Sequence, residues 1–132
     1  MEGLNIGAVI VAALSTFFIG GLWYSPVLFG KAWMRENGFT EESLKGGNMA
    51  KIFGLAFLLA LIAAFNLAMF LGPEDRLEMG ALWGFAAGFG WVATFVGMHY
   101  LFERRSFAAF LINAGYSVVA LTVMGVILAA WK

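Results

Sequence analysis

The chain has no cysteine, a single histidine and two prolines, and charged residues make up only 12% of it. Each shortage closes off a class of chemistry. Without cysteine there are no disulfides, thiolate metal sites, iron–sulfur clusters or cysteine nucleophiles, and the redox compartment leaves no mark. The one histidine, His99, has no second His and no Cys to share a metal with, so neither a metal nor another cofactor is expected. Eight basic and eight acidic side chains cancel to a net charge of zero, so no bulk field attracts nucleic acid. No Ser/His/acid set or glycine-rich phosphate loop occurs, and an enzyme is not expected.

What is abundant is apolar. The 132 residues are 62% hydrophobic with a mean hydropathy of +0.87, and the charges cluster between apolar runs. That pattern points to a bilayer, and the length to a single membrane domain over 1–132. Four runs stand out, about 4–24, 50–71, 79–101 and 107–131. Each has about 20 residues or more, enough as helix to cross a hydrocarbon core of about 30 Å. Period-2 alternation is missing, so strands are not expected. The fold class is therefore all-α, an integral membrane four-helix bundle. The N-terminal Met-Glu-Gly-Leu-Asn has no basic residue, so the first run reads as a retained span rather than a cleaved signal.

The loop 25–49 follows the interfacial pair Trp23-Tyr24. Ser25-Pro26 has the chemistry of a cap with proline at the first helical position, which predicts a short helix starting there. Leu28, Phe29, Ala32 and Trp33 fall on one face of it and Lys31, Arg35 and Glu36 elsewhere, as in an amphipathic helix lying at the interface. Trp23, Pro26, Phe29 and Trp33 are its interfacial residues. Asn37-Gly38 ends it. Residues 40–45 suit a capped turn closed by Gly46-Gly47, with Asn48 capping the second span. Pro73, Glu74 and Asp75 suit the first turn of the third helix, and Ser106 the cap of the fourth.

Basic residues set an expected orientation. Loop 25–49 with its flank, and the turn 103–106, carry Lys31, Arg35, Lys45, Lys51, Arg104 and Arg105; the opposite side carries Arg76 and Lys132. Six against two places both termini on the non-cytoplasmic side. A weak internal repeat pairs Gly21-Leu22-Trp23-Tyr24 with Gly97-Met98-His99-Tyr100, each followed closely by Leu-Phe and basic residues.

Small residues recur every four positions as Gly80, Gly84 and Gly88, a glycine ladder, and as Ala8, Ala12, Thr16 and Gly20. Such stripes let helix backbones approach closely, within one subunit or between copies. Asn113, Tyr116 and Ser117 share a face of the fourth helix, at the depth of Thr94 and His99. With Tyr24 and Tyr100 they form a candidate site for a small or lipid-like ligand entering from the cytoplasm; simple interhelical hydrogen bonding is the competing explanation. Asn66 is expected to bond another helix. A non-enzymatic, self-associating protein whose partner is the bilayer is the leading functional reading. A small oligomeric transporter or channel for an uncharged or amphipathic solute is the alternative, and an enzyme using His99 and Tyr116 a third.

One resemblance is legible. Leu22-Trp23-Tyr24-Ser25-Pro26, Leu28-Phe29-Gly30-Lys31 and Trp33-Met34 resemble the signature of an uncharacterised family of small bacterial membrane proteins, domain of unknown function seventeen sixty-one. Asn48 to Lys51, Leu101 to Arg105 and Leu111 to Tyr116 extend the similarity. It implies a bacterial, four-helix protein, hence one of the inner (cytoplasmic) membrane. It implies no activity, substrate or catalytic residue.

Overall fold

The computed structural model describes residues 5–40, 42–43 and 49–131. Helix α1 (Ile6–Trp23) starts where Asn5 caps it, its Oδ1 accepting the Ala8 N–H at 3.1 Å. Helix α2 (Gly30–Asn37) follows a turn, and α3 (Met49–Leu71), α4 (Leu77–Phe102) and α5 (Phe107–Ala130) complete the chain. Ala50–Leu71 of α3 and the whole of α1, α4 and α5 are long and apolar enough to cross a membrane. With no strand among the described residues, the chain is an all-α, multi-pass membrane protein.

Two predicted helix starts are corrected. Ser25 does not cap α2; its hydroxyl donates back to the Leu22 carbonyl at 2.7 Å, finishing α1 instead. A turn over 26–29 intervenes, and α2 begins at the buried Gly30, whose N–H donates to the Ser25 carbonyl at 2.8 Å. A Cβ there would lie 2.8 Å from that carbonyl group, so the close approach excludes a side chain. Pro73 likewise precedes its helix: residues 72–76 are non-helical, and Glu74 accepts from the Arg76 Nε at 3.2 Å. That guanidinium holds the Glu74 carboxyl below the ordinary carboxylate range. Other predicted ends stand. Gly38 closes α2 in the left-handed region (φ 71°), and the Ser106 Oγ accepts the Ala109 N–H at 3.0 Å. Thr40 and Ser43 exchange backbone-to-hydroxyl bonds of 2.8 and 3.0 Å, as in a capped turn. Lys45, Gly46, Gly47 and Asn48, also assigned roles above, lie outside the described residues, as does Lys132.

The spans alternate in direction, and α5 is the hub, touching α1, α3, α4 and α2. Its seam with α4 is backbone against backbone. A Cβ on Gly80 or Gly84 would collide with the carbonyls of Gly125 and Leu121, and one on Gly88 would lie 2.8 Å from the Val118 Cα. Where no water is present to expel apolar surface, such close packing is what holds helices together. The other small stripe also turns inward. Ala8 and Ala12 are buried with Val9 and Ala13 against Ala64, Leu67 and Ala68 of α3 and Met124 and Leu128 of α5.

This core occupies the half of the bundle away from α2. In the half near α2, α3 leaves its neighbours: Ile52, Phe53, Leu55, Leu58 and Leu59 are exposed, and its first buried residue is Ala64. The Phe17 ring bridges the gap, 6.1 Å from the centroids of both Phe53 and Phe57. α4 also departs from a regular α-helix here. Gly88–Ala93 form a π turn, and the Thr94 hydroxyl donates back to the Gly90 and Trp91 carbonyls at 3.0 and 2.9 Å, partnering oxygens in the wider turn.

Candidate functional site

Asn113 is the centre of the near half. Helix α5 carries it inward, half-buried, between two tyrosines from different spans. The Tyr24 hydroxyl donates to Asn113 Oδ1 at 2.6 Å, and Asn113 Nδ2 donates to the Tyr100 hydroxyl at 2.6 Å. Each side of the amide is thus satisfied, which fixes its orientation and ties the α2-side ends of α1, α4 and α5 together. Tyr24 and Tyr100 are the matched tyrosines of the two repeat segments. That repeat therefore places a hydroxyl on either side of one asparagine.

Aromatic rings surround this chain. Tyr24 packs on Tyr116 at 5.5 Å and on Trp33 at 5.3 Å, and Trp33 on Phe39 at 5.1 Å. Tyr116 lies over Gly20, where a Cβ would be 3.4 Å from its ring, and donates to the Thr16 carbonyl at 3.0 Å. Trp23 packs at a tilt on Phe29, 4.8 Å between centroids, and donates its indole N–H to the Ile112 carbonyl at 2.8 Å. Of the residues expected at the interface, Trp23 and Trp33 are half-buried brackets, while Pro26 and Phe29 are exposed. The network continues to the surface: the Arg105 guanidinium lies 4.5 Å above the Tyr100 ring and donates to Asn37 Oδ1, docking α2.

Beside this network the splayed α3 leaves a cleft. One part, about 470 Å³, is walled by Gly20, Tyr24, Trp33, Phe53 and Tyr116; the next, about 570 Å³, by Ala56, Ala60, Val92, Ser117 and Leu121. The two share Thr16, Phe17 and Tyr116. The cleft is mostly apolar, with the tyrosine and tryptophan polar tips at its α2 end.

Of the seven residues grouped by sequence, the structure brings Tyr24, Tyr100, Asn113, Tyr116 and Ser117 together. Ser117 lines the cleft and donates to the Asn113 carbonyl at 3.2 Å. Thr94 and His99 do not join: both are exposed, Thr94 bonded within its own helix. The π turn rotates the helix face that follows it, so equal depth did not mean a shared face. Asn66 is a further correction. It is exposed on α3, and its side chain makes no hydrogen bond among the described residues. Sequence reading did not find Phe17, Val92 or the Arg105–Asn37 contact. Gly88 and Gly90 with Thr94 four residues on were the available signal for the π turn; the others depend on tertiary placement alone.

The profile of one family, described as Protein of unknown function (DUF1761), matches residues 7–129, and the chain belongs to that family. No curated protein matches the chain, and neither does any solved structure.

Proposed function

We propose that this family member is a non-enzymatic membrane protein that takes an amphipathic, lipid-like ligand into the cleft beside α3. The carrying observation is the pair of connected volumes, about 470 and 570 Å³, between a closed core and an aromatic, hydroxyl-bearing mouth. An apolar tail fits against Ala56, Ala60 and Val92, and a polar head would meet Tyr24, Trp33 and Tyr116. These hydroxyls are occupied in mutual or backbone hydrogen bonds, and no acid or base activates them, which favours binding over catalysis. A solute path through one subunit has less support, because Ala12, Ala64, Leu67 and Met124 close the far half.

The α2 end faces the cytoplasm, on the six-to-two distribution of basic residues. Because the chain lacks cysteine, Asp75→Cys in intact cells reports the side; protection of that thiol from an impermeant reagent would reverse the orientation. The protein also self-associates through α3, where the unpaired Asn66 amide, costly to leave in hydrocarbon, is complementary to a second copy of itself.

Native mass spectrometry of protein released gently from its membrane tests both binding claims. The wild type is expected as an oligomer with a reproducible added mass. Ala56→Trp fills the cleft and should lose that mass at an unchanged melting temperature. A bare wild type, or an added mass that survives in Ala56→Trp, sinks the cleft as the site. A bare monomer sinks self-association.

A further inference from the structure

A second opening lies outside the cleft, on the lipid-facing side of the hairpin between α4 and α5. It measures about 310 Å³ and is lined by Gly97, Leu101, Phe107 and Phe110, with Tyr100, Ser106 and Arg105 at the α2 end. Phe107 and Phe110 stack at 5.9 Å to form one wall, and Gly97 leaves the floor low, since a Cβ there would press on the Phe110 ring at 3.0 Å. The groove is thus apolar along its length and cationic at one end.

The cation has spare capacity. A guanidinium carries five N–H donors, and Arg105 spends one on Asn37 Oδ1 while one face covers the Tyr100 ring. Among the described residues neither Arg104 nor Arg105 has a carboxylate within ion-pair distance; the two ion pairs present are Arg35–Glu36 and Arg76–Glu74. Glu103, on the same turn, does not line the groove. We infer that this groove binds an anionic phospholipid, an acyl chain along Phe107 and Phe110 and the phosphate on Arg105. A basic residue closing an apolar channel between spans at the interface meets a lipid's charge and chain together. Through Tyr100 the bound headgroup abuts the Asn113 network, so occupancy here holds α2 in place. The inference stands independently of the cleft.

The test is native mass spectrometry of the full chain in detergent with phosphatidylglycerol and phosphatidylcholine of identical acyl chains. The wild type should retain phosphatidylglycerol about fivefold over phosphatidylcholine, the factor one basic contact supplies. Arg105→Gln should bring the ratio to about one, and Asn37→Ala, which cuts the α2 contact but keeps the charge, should leave it unchanged. Glycerol phosphate at equal concentration should not displace the lipid. A wild-type ratio near one, or an unchanged ratio in Arg105→Gln, overturns the assignment. Loss of the ratio in Asn37→Ala would trace it to the fold of the α2 end and overturn it too, and displacement by glycerol phosphate would reduce it to an anion contact without a groove.

Discussion

The two halves of this bundle are built by different means. Away from α2, small residues let the helices close: Ala8 and Ala12 pack with Ala64 and Ala68, and Gly80 and Gly84 meet Gly125 and Leu121 backbone against backbone, with Leu67, Met124 and Leu128 filling between. Near α2, contacts are made by rings and hydrogen bonds: Trp23 on Phe29, Tyr24 on Trp33 and Tyr116, and Asn113 between two phenols. The first kind closes space and leaves none for a guest. The second spaces helices apart by the width of a ring, and α3, whose Phe53 and Phe57 rings face Phe17 at 6.1 Å, swings clear. Close approach at small residues thus shuts the α4–α5 seam, while rings hold α3 off at the α2 end.

The strongest test of that contrast is Gly84→Leu. Its side chain would be driven into the Leu121 carbonyl, with backbone on both sides and nothing flexible to yield. We expect a loss of more than about 3 kcal/mol, read as a large drop in melting temperature in detergent. An unchanged melt would mean that the α4–α5 seam does not hold the far half. Asn113→Leu should act more mildly, by about 1–2 kcal/mol, because it strands two phenols but leaves the rings packed. It should also loosen α2, measured as faster proteolysis between residues 38 and 50; equal protection in the variant would separate α2 from the tyrosine–asparagine chain. The smallest effect is expected at Gly54, on the splayed part of α3, where a Cβ would meet nothing within 4 Å. Gly54→Ala should raise stability by about 0.5–1 kcal/mol from helix propensity alone. A destabilised Gly54→Ala protein would show that α3 is in fact covered there, and the open half would need a different occupant.

The site was partly readable in the same terms. Asn113, Tyr116 and Ser117 lie at helical spacing on one face, and the repeat flagged Tyr24 and Tyr100, so five of its members were visible without coordinates. Thr94 and His99 were grouped by depth, and depth is only one coordinate. A single π turn between Gly88 and Ala93 sets which way the rest of α4 faces, and it begins where Gly88 seats against Val118. Ser25 and Pro73 show the same limit at helix ends. Their types suit a cap and a first turn, yet competing local partners, the Leu22 carbonyl and the stretch before Leu77, took them.

Composition and run length alone determined that the chain is helical and crosses a membrane four times, because hydrocarbon tolerates no unpaired backbone and every run is one core thickness long. Periodicity determined which helix faces are small. What only the tertiary structure decided is which faces meet. Glycine fits against any backbone, so the ladder on α4 carried no address, and its docking on Gly125 and Leu121 follows from the packing of all the spans at once. The cleft is a consequence of that choice: with α5 committed to α4 and α1, the near half of α3 stands off from them, its Phe53 and Phe57 meeting Phe17 across the gap.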